Sequence, residues 1–224
     1  MSEFSHSVQA IAAFAIPVLF AIALHEAAHG YTARYFGDPT AEQAGRLSLN
    51  PVRHIDLFGT ILLPLLLYLS PIGVPFGYAK PVPVDFGRLR NPKKQMGFVA
   101  AAGPAANFAM CLGWMIVLVL LRGMGVGEAF FLEMARAGVL ANAAMCVFNL
   151  IPVPPLDGGR IVTALLPMDL ARSFASIERY TTFIFIGLIA LSYFNVLGNL
   201  LAPAMGVLLD IVKFLVQPLT YLFR

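Results

Sequence analysis

The sequence predicts an all-α polytopic membrane protein of about five or six membrane elements, with one re-entrant segment and a small membrane-associated β-hairpin or sheet. Three observations predict it. Of 224 residues, 59% are hydrophobic and 12% charged, against ~25% charged in ordinary soluble domains, and mean hydropathy is +0.79. Uncharged runs of the ~20 residues a helix needs to cross the hydrocarbon core recur along the chain. No polar, Pro/Ser-rich or charge-dense block is long enough for a soluble domain or flexible linker, and no internal repeat is visible. Residues 1–224 therefore read as a single integral-membrane domain, with a core over about 8–166 and an extra transmembrane hairpin over about 180–217.

In chain order, the first helix is expected from about Val8 to Tyr35, stopped by Gly37-Asp38-Pro39, a turn a helix does not easily continue through. This run lacks the basic start of a cleaved signal and leads straight into His25 and Glu26, so it is expected to be retained. Residues 38–56 are polar, with Gly45 and Asn50-Pro51, and read as loop or short strand. Leu57–Leu69 is apolar but short and contains Pro64; lengths of about 10–14 suit a re-entrant or interfacial segment. Phe76–Phe86 alternates and carries prolines, which suits an edge strand or hairpin whose free backbone groups a peptide substrate would pair with. Gln95–Leu121 and Ala137–Leu156 are uncharged spans, the second halted by Pro152, Pro154 and Pro155. Tyr180–Leu209 is uncharged but interrupted by Asn195, Gly198, Asn199 and Pro203, and reads as two spans joined by a tight turn, the second extending to about Val216.

Charge placement sets the expected topology. If Leu57–Leu69 turns back, residues 37–95 share one face and hold Arg46, Arg53, Lys80, Arg88, Arg90, Lys93 and Lys94, joined there by Arg160, Arg172 and Arg179. The opposite loop holds Arg122 and Arg136 beside Glu128 and Glu133. By the positive-inside rule the basic face is cytosolic and the amino terminus outside. The net charge of +3 thus reports topology in a cytoplasmic membrane, and no nucleic-acid partner is implied. Cys111 and Cys146 lie inside apolar runs, without the spacing of a zinc cluster or the loop setting of a disulfide framework, and read as small core residues.

The chemistry concentrates in His25-Glu26-Ala27-Ala28-His29, at the end of a run with no Asp, Glu, Lys or Arg from Phe4 to Leu24. Residues four apart share a helix face, so both imidazoles can grip one metal with Glu26 beside it, the H-E-x-x-H arrangement of zinc hydrolases. A lone buried His is more often a hydrogen-bonded core residue. Here three ionisable groups within five residues, each costing on the order of 3 kcal/mol in the bilayer, favour a bound dication. Catalytic zinc takes three protein ligands, and a bound ion acidifies a water that Glu26 can deprotonate. Asp157 is the expected third ligand, after a proline-set helix end and before Gly158-Gly159, which permit close backbone approach; His54 and Asp56 are rivals with expected hydrogen-bonding roles. Asn107 and Asn149 divide evenly between interhelical hydrogen bonds and holding substrate backbone or oxyanion. Asn142 and Gly103 have weaker claims.

With these residues in place, the chain resembles the site-2 protease family of intramembrane zinc metalloproteases, the M50 peptidases. It carries HExxH as His25–His29, a GPxxN helix start as Gly103-Pro104-Ala105-Ala106-Asn107, and an N-x-x-P…LDG segment as Asn149-Leu-Ile-Pro152 through Leu156-Asp157-Gly158. Gly37-Asp-Pro-Thr40, Gly45-Arg-Leu47 and Asn50-Pro51-Val-Arg-His54-Ile-Asp56 are similar to the compact prokaryotic subgroup, so the likeness covers nearly residues 24–166. It implies His25, His29 and Asp157 as ligands of one zinc ion per chain, Glu26 as acid/base, and cleavage of membrane-spanning protein substrates in or near the bilayer. Departures from the family pattern are the lack of an inserted PDZ-like domain, of a CBS pair and of room for a span before the motif helix. Two other readings exist. A metal-binding transporter or channel has no need of Glu26 beside the metal, and a catalytically silent scaffold has no need of all four residues. No feature of the sequence selects an oligomeric state.

Overall fold

The computed structural model describes residues 3–69, 77 and 80–223. Among these, the helices are α1 (Glu3–Tyr35), α2 (Thr40–Gln43), α3 (Leu63–Leu69), α4 (Pro92–Gly123), α5 (Ala129–Asn149), α6 (Asp157–Leu165), α7 (Met168–Ala175), α8 (Thr181–Tyr193) and α9 (Val196–Thr220). Five stretches are long and apolar enough to cross a bilayer: Ile11–Tyr35, Pro92–Gly123, Ala129–Asn149, Met168–Tyr193 and Val196–Phe223. The chain is a multi-pass membrane protein.

Helix α4 is the hub, packed against α1, α5, α6 and α9. Contacts give the directions. His25 and His29 of α1 reach Asn107 and Val99 of α4, so α1 and α4 are antiparallel. Asn107 and Cys111 reach Asn142 and Val139, so α5 is antiparallel to α4 as well. Leu112 and Ile116 share a groove with Leu215, Leu219 and Leu222, and a Cβ on Gly123 would strike the Phe223 ring. Helix α9 therefore runs parallel to α4, and the α8–α9 turn at Phe194-Asn195 lies at the end of the bundle where α4 begins.

Lipid tails are as apolar as leucine, so close approach of backbones and interhelical hydrogen bonds must hold such a bundle together. The buried positions fit that demand. They include Ala21, Ala23, Ala27, Ala33, Ala135, Ala137 and Ala143, while Gly138 lies under the Trp114 ring with no room for a Cβ. Cys111 and Cys146 are free and sit in a core with Val139, Ala143, Val147, Leu208 and Val212.

Several expectations are corrected. Helix α5 starts two turns before Ala137, because Glu133 and Arg136 form an ion pair three residues apart on its first turns instead of standing in a loop. It ends at Asn149, the segment after it having three prolines without N–H groups, and Asp157 opens the unforeseen helix α6. Helix α9 continues through Gly198, Asn199 and Pro203; the break falls at Asn195 alone, in the left-handed region at φ 57°. Leu57–Leu69 is helical but wide at its start, a π turn over Leu57–Leu62, since Pro64 has no N–H for the i→i−4 ladder.

The β-hairpin is not found among the described residues; Phe76, Tyr78 and Ala79 lie outside them. Lys80–Asp85 bonds to helices and turns instead of to a strand. Lys80 N–H donates to His54 O at 3.1 Å, Val82 N–H to Glu26 Oε2 at 2.7 Å and Asp85 N–H to Asp38 Oδ2 at 2.7 Å. Pro81 and Pro83 have no donor, and Arg46 Nη2 donates to Lys80 O at 2.8 Å. The Lys80, Val82 and Asp85 amides and the Lys80 carbonyl, expected to stay free for strand pairing, are thus taken.

Asp38, fully buried just after α1, holds that segment to the helix end. Burial by itself raises its pKa, but hydrogen bonds from the Thr40 hydroxyl and amide and the Asp85 amide, with the nearby Arg88 charge, outweigh it and hold the carboxyl below its ordinary 3.8. A depressed folded-state value stabilises the fold above the unfolded value and loses that contribution as pH falls through the folded one. Asp38→Asn is expected to lower the thermal unfolding midpoint at pH 7, by an amount that shrinks as pH drops below about 4. Unfolding followed by circular dichroism from pH 7 to pH 3 checks this.

Candidate metal centre

His25 and His29 project from one face of α1 into the seam between α1 and α4, one turn apart. Each is oriented by its Nδ1. His29 Nδ1 lies 2.7 Å from the Val99 carbonyl, which only accepts, so that nitrogen carries the proton. His25 Nδ1 lies 2.6 Å from Asn107 Oδ1, and a chain of amides sets which Asn107 atom it meets. Asn142 Nδ2 donates to Gly138 O at 2.8 Å, leaving Asn142 Oδ1 to accept from Asn107 Nδ2 at 3.0 Å. Asn107 Nδ2 also donates to Ala21 O at 3.3 Å. Asn107 therefore presents its oxygen to His25, and His25 too is protonated on Nδ1.

Both Nε2 atoms are then bare lone pairs, and they sit 3.1 Å apart. Asp157 Oδ2 lies 3.3 Å from one and 3.4 Å from the other, buried and with no hydrogen-bond partner. Three acceptors converging without a proton between them repel one another unless a cation lies among them. The spacing also fits: ligand bonds of about 2.0–2.1 Å in tetrahedral array put ligand atoms about 3.3 Å apart. The donor set, two imidazoles and a carboxylate within 4.8 Å of one another, thus suits zinc.

Three glycines allow this convergence. A Cβ on Gly103 of α4 would lie 2.5 Å from His25 Cε1 and from His29 Nε2, so only glycine lets the imidazoles pass that close to the helix. Cβ atoms on Gly158 and Gly159 would collide with the backbone of Leu150, Ile151, Val153 and Pro154. The proline-bearing turn after α5 folds back onto the start of α6 and carries Asp157 in to the histidines.

Glu26 is half-buried beside the pair, one oxygen held by the Val82 amide. The other sequence candidates fall elsewhere. His54 is buried and bonded through Nε2 to Ser48 O at 2.8 Å; Asp56 caps the π turn by accepting from Gly59 N–H at 2.7 Å. Neither joins the ligand group. Asn107 is wholly buried with both ends of its amide bonded. Asn149, the last residue of α5, is half-buried and donates to Met145 O at 3.0 Å. The Val82 amide and Val99 carbonyl were missed because backbone groups leave no mark in a sequence. Asn142 did leave one, an amide within an apolar span that also carries Asn149, and it had only a weaker claim.

Asn142→Leu removes the acceptor that orients Asn107. Loss of such an outer partner typically costs 10–100-fold in metal affinity, and that range is expected here, measured by zinc competition with a chelator.

Comparison with known proteins adds an independent line. The model for peptidase family M50 matches residues 13–139 and 132–192. YwhC of Bacillus subtilis (strain 168), provisionally named a zinc metalloprotease, is 35% identical over 176 residues, 76% of this chain and 77% of its own. Rip2 of Mycolicibacterium smegmatis and Rip2 of Mycobacterium tuberculosis, named in the same way, are 32% and 30% identical over 165 residues, 72% of this chain and 60% of theirs. No solved structure matches significantly.

Proposed function

This chain belongs to peptidase family M50 and is a metalloprotease; from that premise we propose that it hydrolyses peptide bonds of membrane-spanning proteins within or near the bilayer. The observation that carries the reading is the convergence of His25 Nε2, His29 Nε2 and Asp157 Oδ2, with Glu26 beside them, inside a bundle of apolar helices. His25, His29 and Asp157 hold one zinc ion per chain in this reading. The bound ion would supply Lewis acidity and bring the pKa of a water from about 15.7 toward 7.

The chain's own residues do the rest. Glu26, aligned by the Val82 amide, takes the proton of the attacking water and returns it to the leaving amine. Asn107, turned by Asn142, keeps the His25 tautomer that leaves Nε2 free. Asn149, at the helix end preceding the Asp157 loop, is proposed to hold substrate backbone. We read the chain as one membrane domain, with the catalytic core over about 8–166 and the α8–α9 hairpin peripheral to it. The basic residues of 37–95 support a site facing the cytosol across the cytoplasmic membrane.

Metal content of detergent-purified protein tests the reading. Wild type is expected to carry about one zinc per chain, and His25→Ala and Asp157→Ala little or none. Wild type that stays metal-free after gentle purification and zinc re-addition overturns it. Zinc retained by Asp157→Ala alone reassigns the third ligand.

A further inference from the structure

Helix α9 buries one apolar face and exposes large apolar side chains such as Leu200, Val207 and Phe214 on another, and between these runs a stripe of polar and small residues. Leu197, Leu208, Val212 and Val216 are buried. In that stripe Asn199, Pro203, Gly206, Asp210, Lys213 and Gln217 are all exposed, spaced alternately four and three residues apart. That is the spacing of a seam between two helices crossing at a small angle. Lipid-facing surfaces call for the reverse pattern, since small and polar residues in spans collect where helix meets helix.

The depth of the charges sharpens the point. At about 1.5 Å per residue, Asp210 lies about 20 Å from the start of α9 and about 15 Å from its end. Lys213 Nζ meets Asp210 Oδ1 at 2.9 Å, yet the two side chains stay 63% and 75% exposed. Charged groups this deep in a span face protein or water, not lipid tails. At Gly206 a Cβ would meet nothing within 4 Å, so a neighbouring backbone can come close at that level.

We propose that the Asn199–Gln217 face of α9 is the contact between two copies of this chain, arranged about a two-fold axis along the membrane normal. Charge complementarity selects a second copy. The seam carries both signs one turn apart, so under two-fold symmetry each Asp210 meets the other copy's Lys213 and the four charges alternate. Copies inserted in the same sense also bring these groups to equal depth without further requirement, whereas an unrelated helix would need a matching pair at that height.

The test uses the full chain in its native membrane. Oxidative cross-linking of Gly206→Cys is expected to give a product of twice the 24.2 kDa chain, well above the yield from Phe183→Cys on exposed α8 or from wild type, whose Cys111 and Cys146 are buried. Asp210→Lys and Lys213→Asp, expressed separately, are expected to lose self-association at least ten-fold, and co-expressed with different tags to purify together. Gly206→Cys that cross-links no better than Phe183→Cys, or to a product of another mass, overturns the proposal. So does failure of the mixed pair to associate where wild type does. If the charge variants do not accumulate, the Gly206→Cys product decides alone.

Discussion

Glu26→Gln is expected to keep its zinc and lose peptide hydrolysis by about 10²–10⁴-fold, the range of a positioned general acid–base. The amide has nearly the shape of the carboxylate and can still accept from Val82 N–H through its oxygen, so the Lys80–Asp85 segment stays in place. What the variant lacks is a basic oxygen to take a proton. The ligand atoms on His25, His29 and Asp157 are untouched. Zinc stoichiometry beside quantitative proteomics of host membranes, wild type against variant, makes the measurement: full-length membrane proteins that accumulate only with Glu26→Gln are the expected readout. Unchanged turnover of every membrane protein, with zinc bound in wild type, would remove Glu26 from the acid–base role while leaving the metal site standing.

Gly103→Ala is expected to do the opposite, removing the metal while leaving every ligand in the chain. The added methyl would lie 2.5 Å from His25 Cε1 and from His29 Nε2, where non-bonded carbon contacts need about 3.5–4.0 Å. Relief means parting α1 from α4 or turning both imidazoles. Either opens the 3.1–3.4 Å triangle of ligand atoms. Overpacking of this kind costs about 1–3 kcal/mol of fold stability, less than the stability of a typical domain. The variant should therefore remain folded by circular dichroism with zinc far below one per chain. Full zinc occupancy in Gly103→Ala would show that α1 and α4 part without cost to the site.

These two expectations rest on features of different visibility. The His25–His29 spacing and the apolar runs of α1 and α4 are local, fixed by 3.6 residues per turn and by composition, and were legible before any coordinates. The choice among Asp157, His54 and Asp56 was only half legible. All three carry a suitable group at suitable depth, and packing of the turn before α6 brings only Asp157 to the histidines.

The failed hairpin has the same origin. Alternation in Phe76–Phe86 describes which side chains share a face, not where backbone groups find partners; Lys80–Asp85 finds them on His54, Glu26 and Asp38. Asn107 was seen as a polar group in a span, yet its role as the oxygen that sets the His25 tautomer depends on Asn142 and the Gly138 carbonyl across the helix interface.

By itself, then, the sequence determined the membrane class, the helix bearing His25, Glu26 and His29 at their spacing, and the glycines and prolines that bend the chain, because all of these follow from spacing along one strand of covalent structure. Tertiary structure decided which carboxylate meets the two imidazoles, the histidine tautomers, the amide that holds Glu26 and the parallel course of α9, because each is a distance between residues far apart in the chain, set only when small side chains let the helices close on one another.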